Sequence, residues 1–233
     1  SEALDFVLDE NVQVHGGNGF VKDYSAERYF RDARVNRIFE GTNEINRLLI
    51  PGMLARRAVK GEIPLIAAAR RLQDEVLSPS IGSTSGSDDG VLGDETRTIA
   101  AFKKVALMVI GTAMQTYGEK LTDQQEVLGY AADILIDSYA GESAVLRARS
   151  ATTGDPRRSD LHVAAARVFV HDAGLRIEAA ARSALSAMTE GDTLRTLLAA
   201  LRRLLKVTPV NTVALRRTLA DAAVAEGKYV LGF

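Results

Sequence analysis

The apolar positions of this chain recur at three- and four-residue intervals from end to end, and alternation with period two is almost absent. Leu4, Val7, Leu8 and Val12 lay one apolar stripe along residues 1–14. This stretch reads as the middle of a helix, and because Ser1 is no initiator methionine it suggests a truncated polypeptide. A glycine-rich turn follows at His15–Phe20, then a short helix through Arg34 that Asp23 or Ser25 can cap. Ile38–Thr42 reads as a break. Thr42 is the expected N-cap of a helix through Ile45, Leu48 and Leu49, bent or restarted at Pro51 and ending near Val59. Residues 63–77 predict another amphipathic helix.

Composition then changes. Residues 78–93 read SPSIGSTSGSDDGVLG, which buries little apolar surface and reads as a linker. Beyond it, long helices are expected over 95–119, with Ile99, Phe102, Val105 and Val109, and over 123–149, with Val127, Ala131, Ile134, Leu135 and Tyr139. A third starts at Asp155-Pro156 and runs to about Met188 through Leu161, Ala165, Val168, Leu175 and Ile177. Residues 192–205 and 211–226 complete the set, with Lys228–Leu231 the one segment that reads as extended. The expected fold class is all-α. Three regions are expected: 1–62, the end of one helical core; 63–98, a short helix and linker; and 99–233, a second helical bundle.

The charge excludes some functions. Lysine and arginine total 29 against 30 aspartates and glutamates, a net of −1, with no basic stripe interleaved with aromatics, so nucleic acid is not the expected partner. Absence of cysteine removes disulfides, thiol nucleophiles and thiolate metal sites. His15, His162 and His171 are too far apart in sequence for a zinc motif, and no metal is expected. His162 and His171 read as surface or capping residues. No apolar run is read as a membrane span and no signal peptide opens the chain, so a cytoplasmic protein is expected. Arg202, Arg203 and Lys206 beside Leu201, Leu204 and Leu205 form a small basic amphipathic patch that could touch anionic lipid at the periphery.

Candidate chemistry lies in the first sixty residues. Two glycine-containing breaks stand about twenty residues apart, with Arg28, Arg31, Arg34 and Arg37 between them. The second break sets a carboxylate, Glu40, before Gly41 and a helix start, where backbone donors can hold an anion or a developing oxyanion. Arg28, Arg31 and Arg34 read as salt-bridge partners locking helices together. An isolated glutamate before glycine is ordinarily a solvated loop carboxylate. The neighbouring motifs change that reading.

Residues 13–20 read QVHGGNGF, 27–34 read ERYFRDAR and 37–47 read RIFEGTNEINR. In this order and spacing they resemble the C-terminal end of the acyl-CoA dehydrogenase catalytic core, over about residues 1–62. Phe39, Asn43 and the long helical tail resemble more loosely the very-long-chain type, which bears an extra C-terminal helical domain. The resemblance implies an FAD-dependent enzyme that converts fatty acyl-CoA to trans-2-enoyl-CoA in fatty-acid β-oxidation, with electron-transfer flavoprotein as acceptor. A carboxylate removes the α-proton as the β-hydrogen leaves as hydride to the flavin. Such a proton is weakly acidic, so its removal needs a base in a water-poor site and a stabilised enolate oxygen.

Glu40 stands at the family's base position, and its backbone amide at the position that binds the thioester carbonyl. Gly41 matches the position that lets substrate approach without a side chain. Thr42 and Glu44 match positions at the FAD adenosine end. Gln13, Val14, His15, Gly16 and Gly17 match the stretch that reaches the FAD of a neighbouring subunit, which implies at least a homodimer. The family's remaining domains hold flavin and much of the substrate, so the resemblance implies that this chain alone lacks FAD and activity. An oxidase of the same family is a weaker rival. The alternative from another class is a non-catalytic helical module for oligomerisation or docking that keeps relic motifs.

Overall fold

A computed structural model describes residues 1–77, 90–151 and 155–232. It contains helices α1 (Glu2–His15), α2 (Gly17–Phe20), α3 (Ser25–Arg34), α4 (Asn43–Val59), α5 (Leu65–Leu77), α6 (Gly93–Tyr117), α7 (Gln125–Ala151), α8 (Pro156–Met188), α9 (Gly191–Leu204) and α10 (Thr212–Glu226). Among the described residues there is no strand, and the fold is all-α. Lys228–Leu231 adds none; Val230 instead packs into a small cluster with Leu161 and Ala222. Most of the linker, residues 78–89, lies outside the described residues. The chain divides into two compact units, Ser1–Ile50 and Pro51–Phe233, with the boundary inside α4.

The first unit is thinly packed. Helix α1 buries no residue, and α3 buries only Ala26. Polar ties do much of the work. Arg37 Nη1 donates to Asp5 Oδ2 at 2.8 Å, Arg47 Nη2 lies 2.6 Å from Glu2 Oε1, and buried Asn43 donates to Glu2 Oε1 at 3.4 Å. Neither Asp23 nor Ser25 caps α3 through its side chain; Tyr24 holds the N-cap position, so that expectation is corrected. Arg31 pairs with Glu27 one turn away on the same helix, and Arg28 with Asp32 likewise. These are pairs within α3, whereas Arg37 and Arg47 each join two elements.

The second unit is built on three long helices. Along α7 the buried positions Val127, Ala131, Ile134, Ser138, Gly141, Val145 and Ala148 follow alternating spacings of four and three, with Leu128 and Ala132 buried beside them. Helix α8 buries a similar stripe at spacings of three and four through Ala166, Val170, Ala173, Ile177, Ala181, Ala184 and Met188. Such spacing keeps one stripe facing its neighbours along a long helix. Small residues on these stripes let the helices approach closely. The expected core residues Tyr139 and Leu175 are instead exposed, because the seam passes through Ser138 and Ala173 beside them. Helix α6 is apolar enough by length and composition to cross a membrane, contrary to the sequence reading. Its Phe102, Val105 and Val109 are fully buried in the bundle, which accounts for that apolarity. Leu201 of the basic patch is also buried in the core.

Charged pairs set the lateral register. Arg176 of α8 forks onto Asp137 of α7 with bonds of 2.9 and 2.7 Å, and Lys103 of α6 meets Glu142 of α7 at 2.5 Å. Arg216 of α10 pairs with Asp172 of α8. A tighter constraint is steric. A Cβ placed on Gly111 of α6 would lie 2.8 Å from the Cβ of Ala69 on α5, and neither atom can swing aside. Gly111→Ala should therefore destabilise the bundle by about 1–3 kcal/mol. Gly129→Ala on α7, where a Cβ meets nothing within 4 Å, should instead stabilise it by up to about 1 kcal/mol. Urea midpoints of the two variants against the parent chain check both signs.

Candidate functional site

The segment before α4 is shaped by an unusual backbone. A single 3-10 turn, Val35–Arg37, ends α3, and the N–H groups of Ile38 and Phe39 both donate to Val35 O. Glu40 then takes φ +55°, one of two non-glycine residues with positive φ among the described residues, and Gly41 takes φ +90°. A left-handed non-glycine residue costs about 1–2 kcal/mol. Only glycine carries the second conformation without a comparable cost. Asn46 fastens the turn by donating from Nδ2 to Gly41 O at 3.0 Å.

This reversal launches α4. Thr42 Oγ1 accepts from the Ile45 N–H at 3.3 Å, and Thr42 O from the Asn46 N–H, which makes Thr42 the cap. Glu44 lies in the first turn. Its carboxyl is held below the usual range by its own backbone N–H and then by the Thr42 hydroxyl. The carboxylate is thus tied to the helix start, where its charge also suits the dipole.

Glu40 itself is exposed, and neither its side chain nor its N–H has a partner among the described residues. Around it Ile38, Phe39, Ile45 and Leu49 each leave half or more of their surface open. A carboxylate and an unspent amide therefore sit within an uncovered apolar surface.

The other predicted residues gather at the far end of α1. Gln13, Val14 and His15 close that helix, and all three are exposed. His15 Nδ1 lies 2.8 Å from Asn11 O, one turn back. Gly16 has φ +57°, and a Cβ on either Gly16 or Gly17 would meet nothing within 4 Å, so the backbone is open to an approaching group. Gly19 is closed: a Cβ there would lie 2.4 Å from Val12 O. The ties from Glu2 and Asp5 to Arg47 and Arg37 bind the opposite end of α1 to the residues flanking Glu40. Fourteen residues of helix span about 20 Å at about 1.5 Å each. Within one chain the glycine turn and Glu40 are therefore two sites, not one.

Sequence reasoning passed over a third place. His162, expected at the surface, is 8% exposed, and its pKa is lowered first by burial and then by Arg147 and Arg158. It lines a cleft of about 470 Å³ with Arg147, Ser150, Asp155 and Arg158. Arg158 and His162 are four residues apart, which puts them on one helical face. The contribution of Arg147 from α7 had no local signal. Among the described residues no group of three or more histidine, aspartate and glutamate side chains could hold a metal ion.

Two family models match, both described as the acyl-CoA dehydrogenase C-terminal domain, one over residues 1–54 and one over residues 101–203. A probable acyl-CoA dehydrogenase of Bacillus subtilis is 44% identical over 232 residues, 99% of this chain and 39% of the relative. The caffeyl-CoA reductase-Etf complex subunit CarC of Acetobacterium woodii is 42% identical over 57 residues, covering 24% of this chain and 15% of its own. Among solved structures, the acyl-CoA dehydrogenase complexed with FAD from Bacillus anthracis aligns with a TM-score of 0.90 at 42% identity, over 98% of this chain and 38% of that one. The chain thus spans about two fifths of the length of the Bacillus proteins it matches. Through residues 1–54 and 101–203, it belongs to the acyl-CoA dehydrogenase family.

Proposed function

We propose that this chain supplies the catalytic base segment of an FAD-dependent acyl-CoA dehydrogenase that forms trans-2-enoyl-CoA from fatty acyl-CoA. The observation that carries the reading is the backbone at Glu40. A non-glycine residue held at φ +55° beside Gly41 at φ +90° stores strain. Strain of this kind persists where function requires it. The Glu40 carboxylate accepts the proton from the carbon next to the thioester. Its unspent N–H donates to the thioester carbonyl oxygen, where negative charge develops. Gly41 keeps a side chain out of the substrate's path. Once covered, the open faces of Ile38, Phe39, Ile45 and Leu49 exclude water from the proton transfer.

The residues present suit contacts to FAD at two places: Thr42 and Glu44 at the start of α4, and Gln13–Gly17 at the open glycine turn. FAD, when bound, supplies the acceptor for the hydride. Because these places lie at opposite ends of α1, we assign the glycine turn to the cofactor of a second subunit, and the enzyme to a homodimer at least. Electron-transfer flavoprotein is the proposed acceptor, supported by the Etf complex to which the Acetobacterium relative belongs. A second matched domain over 101–203 supports the very-long-chain type and a role in fatty-acid β-oxidation.

Expression of a complete enzyme carrying these residues, assayed on acyl-CoA of graded chain length, tests the reading; no turnover at any length would overturn it. The 233-residue chain alone should purify colourless and show no dehydrogenation with an artificial electron acceptor. A yellow preparation with bound flavin, together with turnover, would refute that expectation.

A further inference from the structure

The cleft in the second unit is lined by none of the residues assigned above to catalysis or to FAD, and it has the chemistry of an anion site. Helix α7 brings Arg147, Ser150 and Ala151 to one wall, at spacings that share a face. Helix α8 brings Asp155, Arg158 and His162 to the other, from its N-cap through its second turn. Gly232 closes a side, and Arg147 Nη2 donates to the neighbouring Leu231 O at 3.2 Å, which fixes the guanidinium in place. The Asp155 carboxylate is committed in part to the helix start, where Oδ1 accepts from the Arg157 N–H at 3.0 Å. Arg158 makes no ion pair or hydrogen bond among the described residues.

His162 is the second and independent sign. It is more than nine-tenths buried, yet its ring has no hydrogen-bond partner among the described residues. Its nitrogens are not among the fully enclosed polar atoms that lack a partner, which are Arg37 Nε and Arg167 Nε. The ring therefore meets open space, and the open space it meets is the cleft it lines. A partner for the ring can therefore come from the cleft side, and an acceptor placed there also faces the two guanidiniums.

We infer that the cleft formed by the last turns of α7 and the first turns of α8, lined by Arg147, Ser150, Arg158 and His162, binds a phosphate group of a small molecule. Guanidiniums match phosphate oxygens through paired N–H donors, and the imidazole donates to a further oxygen. The long α8 adds the positive end of its dipole. Among the described lining residues the cations Arg147 and Arg158 stand with the single carboxylate Asp155, and His162 adds a positive charge when it takes a proton. Phosphate binding is therefore coupled to protonation of His162.

The test follows imidazole ¹⁵N signals of the 233-residue chain, which has three histidines, during titration with inorganic phosphate at constant ionic strength. The His162 signal should shift saturably, and its titration midpoint should rise, while His15 and His171 stay put. Acetate at matched strength should leave His162 unmoved. Arg158→Gln should weaken the response at least tenfold without changing the helical circular dichroism, and Arg158→Lys should restore part of it. A parallel arm with phosphatidylcholine vesicles containing phosphatidic acid separates the sources of the group. Saturation by inorganic phosphate assigns a soluble ligand. A response to the vesicles alone overturns a small-molecule site in favour of a lipid headgroup. No saturable shift with phosphate, or an equal response to acetate, also overturns the inference. None of these outcomes depends on Glu40, so the result stands apart from the proposed dehydrogenation.

Discussion

Replacing Glu40 by glutamine in the complete enzyme should lower turnover by about 10²–10⁴-fold while leaving flavin bound. Glutamine keeps the length and the left-handed backbone of the position but cannot accept the α-proton. The loss should therefore fall on kcat, with little change in substrate binding, because the backbone N–H proposed to meet the thioester carbonyl is retained. Rapid mixing of enzyme and acyl-CoA, followed by flavin absorbance, separates binding from proton transfer. Retained turnover would remove Glu40 as the base. A companion substitution isolates the strain. Glu40→Gly relieves the φ +55° conformation and should stabilise the fold by up to about 1 kcal/mol, yet it should be no more active than the glutamine variant.

Phe102→Ala should be the most damaging single change to the second unit, at about 3–5 kcal/mol. Phe102 is fully buried on α6, and its ring lies over Gly174 of α8, where a Cβ would be 3.5 Å from the ring edge. Truncation empties the seam between two helices that are already close, so relaxation cannot fill the space. Such a loss is a large part of the 5–15 kcal/mol, roughly, that holds an ordinary domain together. Urea unfolding should show a lowered midpoint at nearly unchanged slope. A cost under about 1 kcal/mol would mean that the seam collapses freely, which close packing of these helices forbids.

The two regions of the chain differ in how they are stabilised, and that difference bears on function. The second unit buries unbroken stripes on α6, α7 and α8 and is well supplied with core. The first unit leaves Phe6, Val14, Phe20, Phe39 and Leu49 half or more exposed, and holds α1 to its neighbours by ion pairs. Exposed apolar surface on this scale marks an interface. It is the surface on which the proposed substrate channel and second subunit are placed.

Much of this protein was written in its residue order. Helix spacing is a local property, so stripes such as Val127, Ala131 and Ile134 located the long helices to within two or three residues. The cap at Thr42, the proline start of α8 and the three motif blocks are equally local. Tertiary structure decided what depends on residues far apart in the chain. The seam chose Ser138 and Ala173 over Tyr139 and Leu175, because close helix approach rewards small side chains. It separated the glycine turn from Glu40 by the length of α1. It also carried Arg147 from one helix to the Arg158 and His162 of the next, turning a histidine that reads as surface into a buried one. Periodicity tells which face of a helix is apolar. Only the packing of helices tells which polar side chains meet inside, because desolvation and charge act through space and not along the chain.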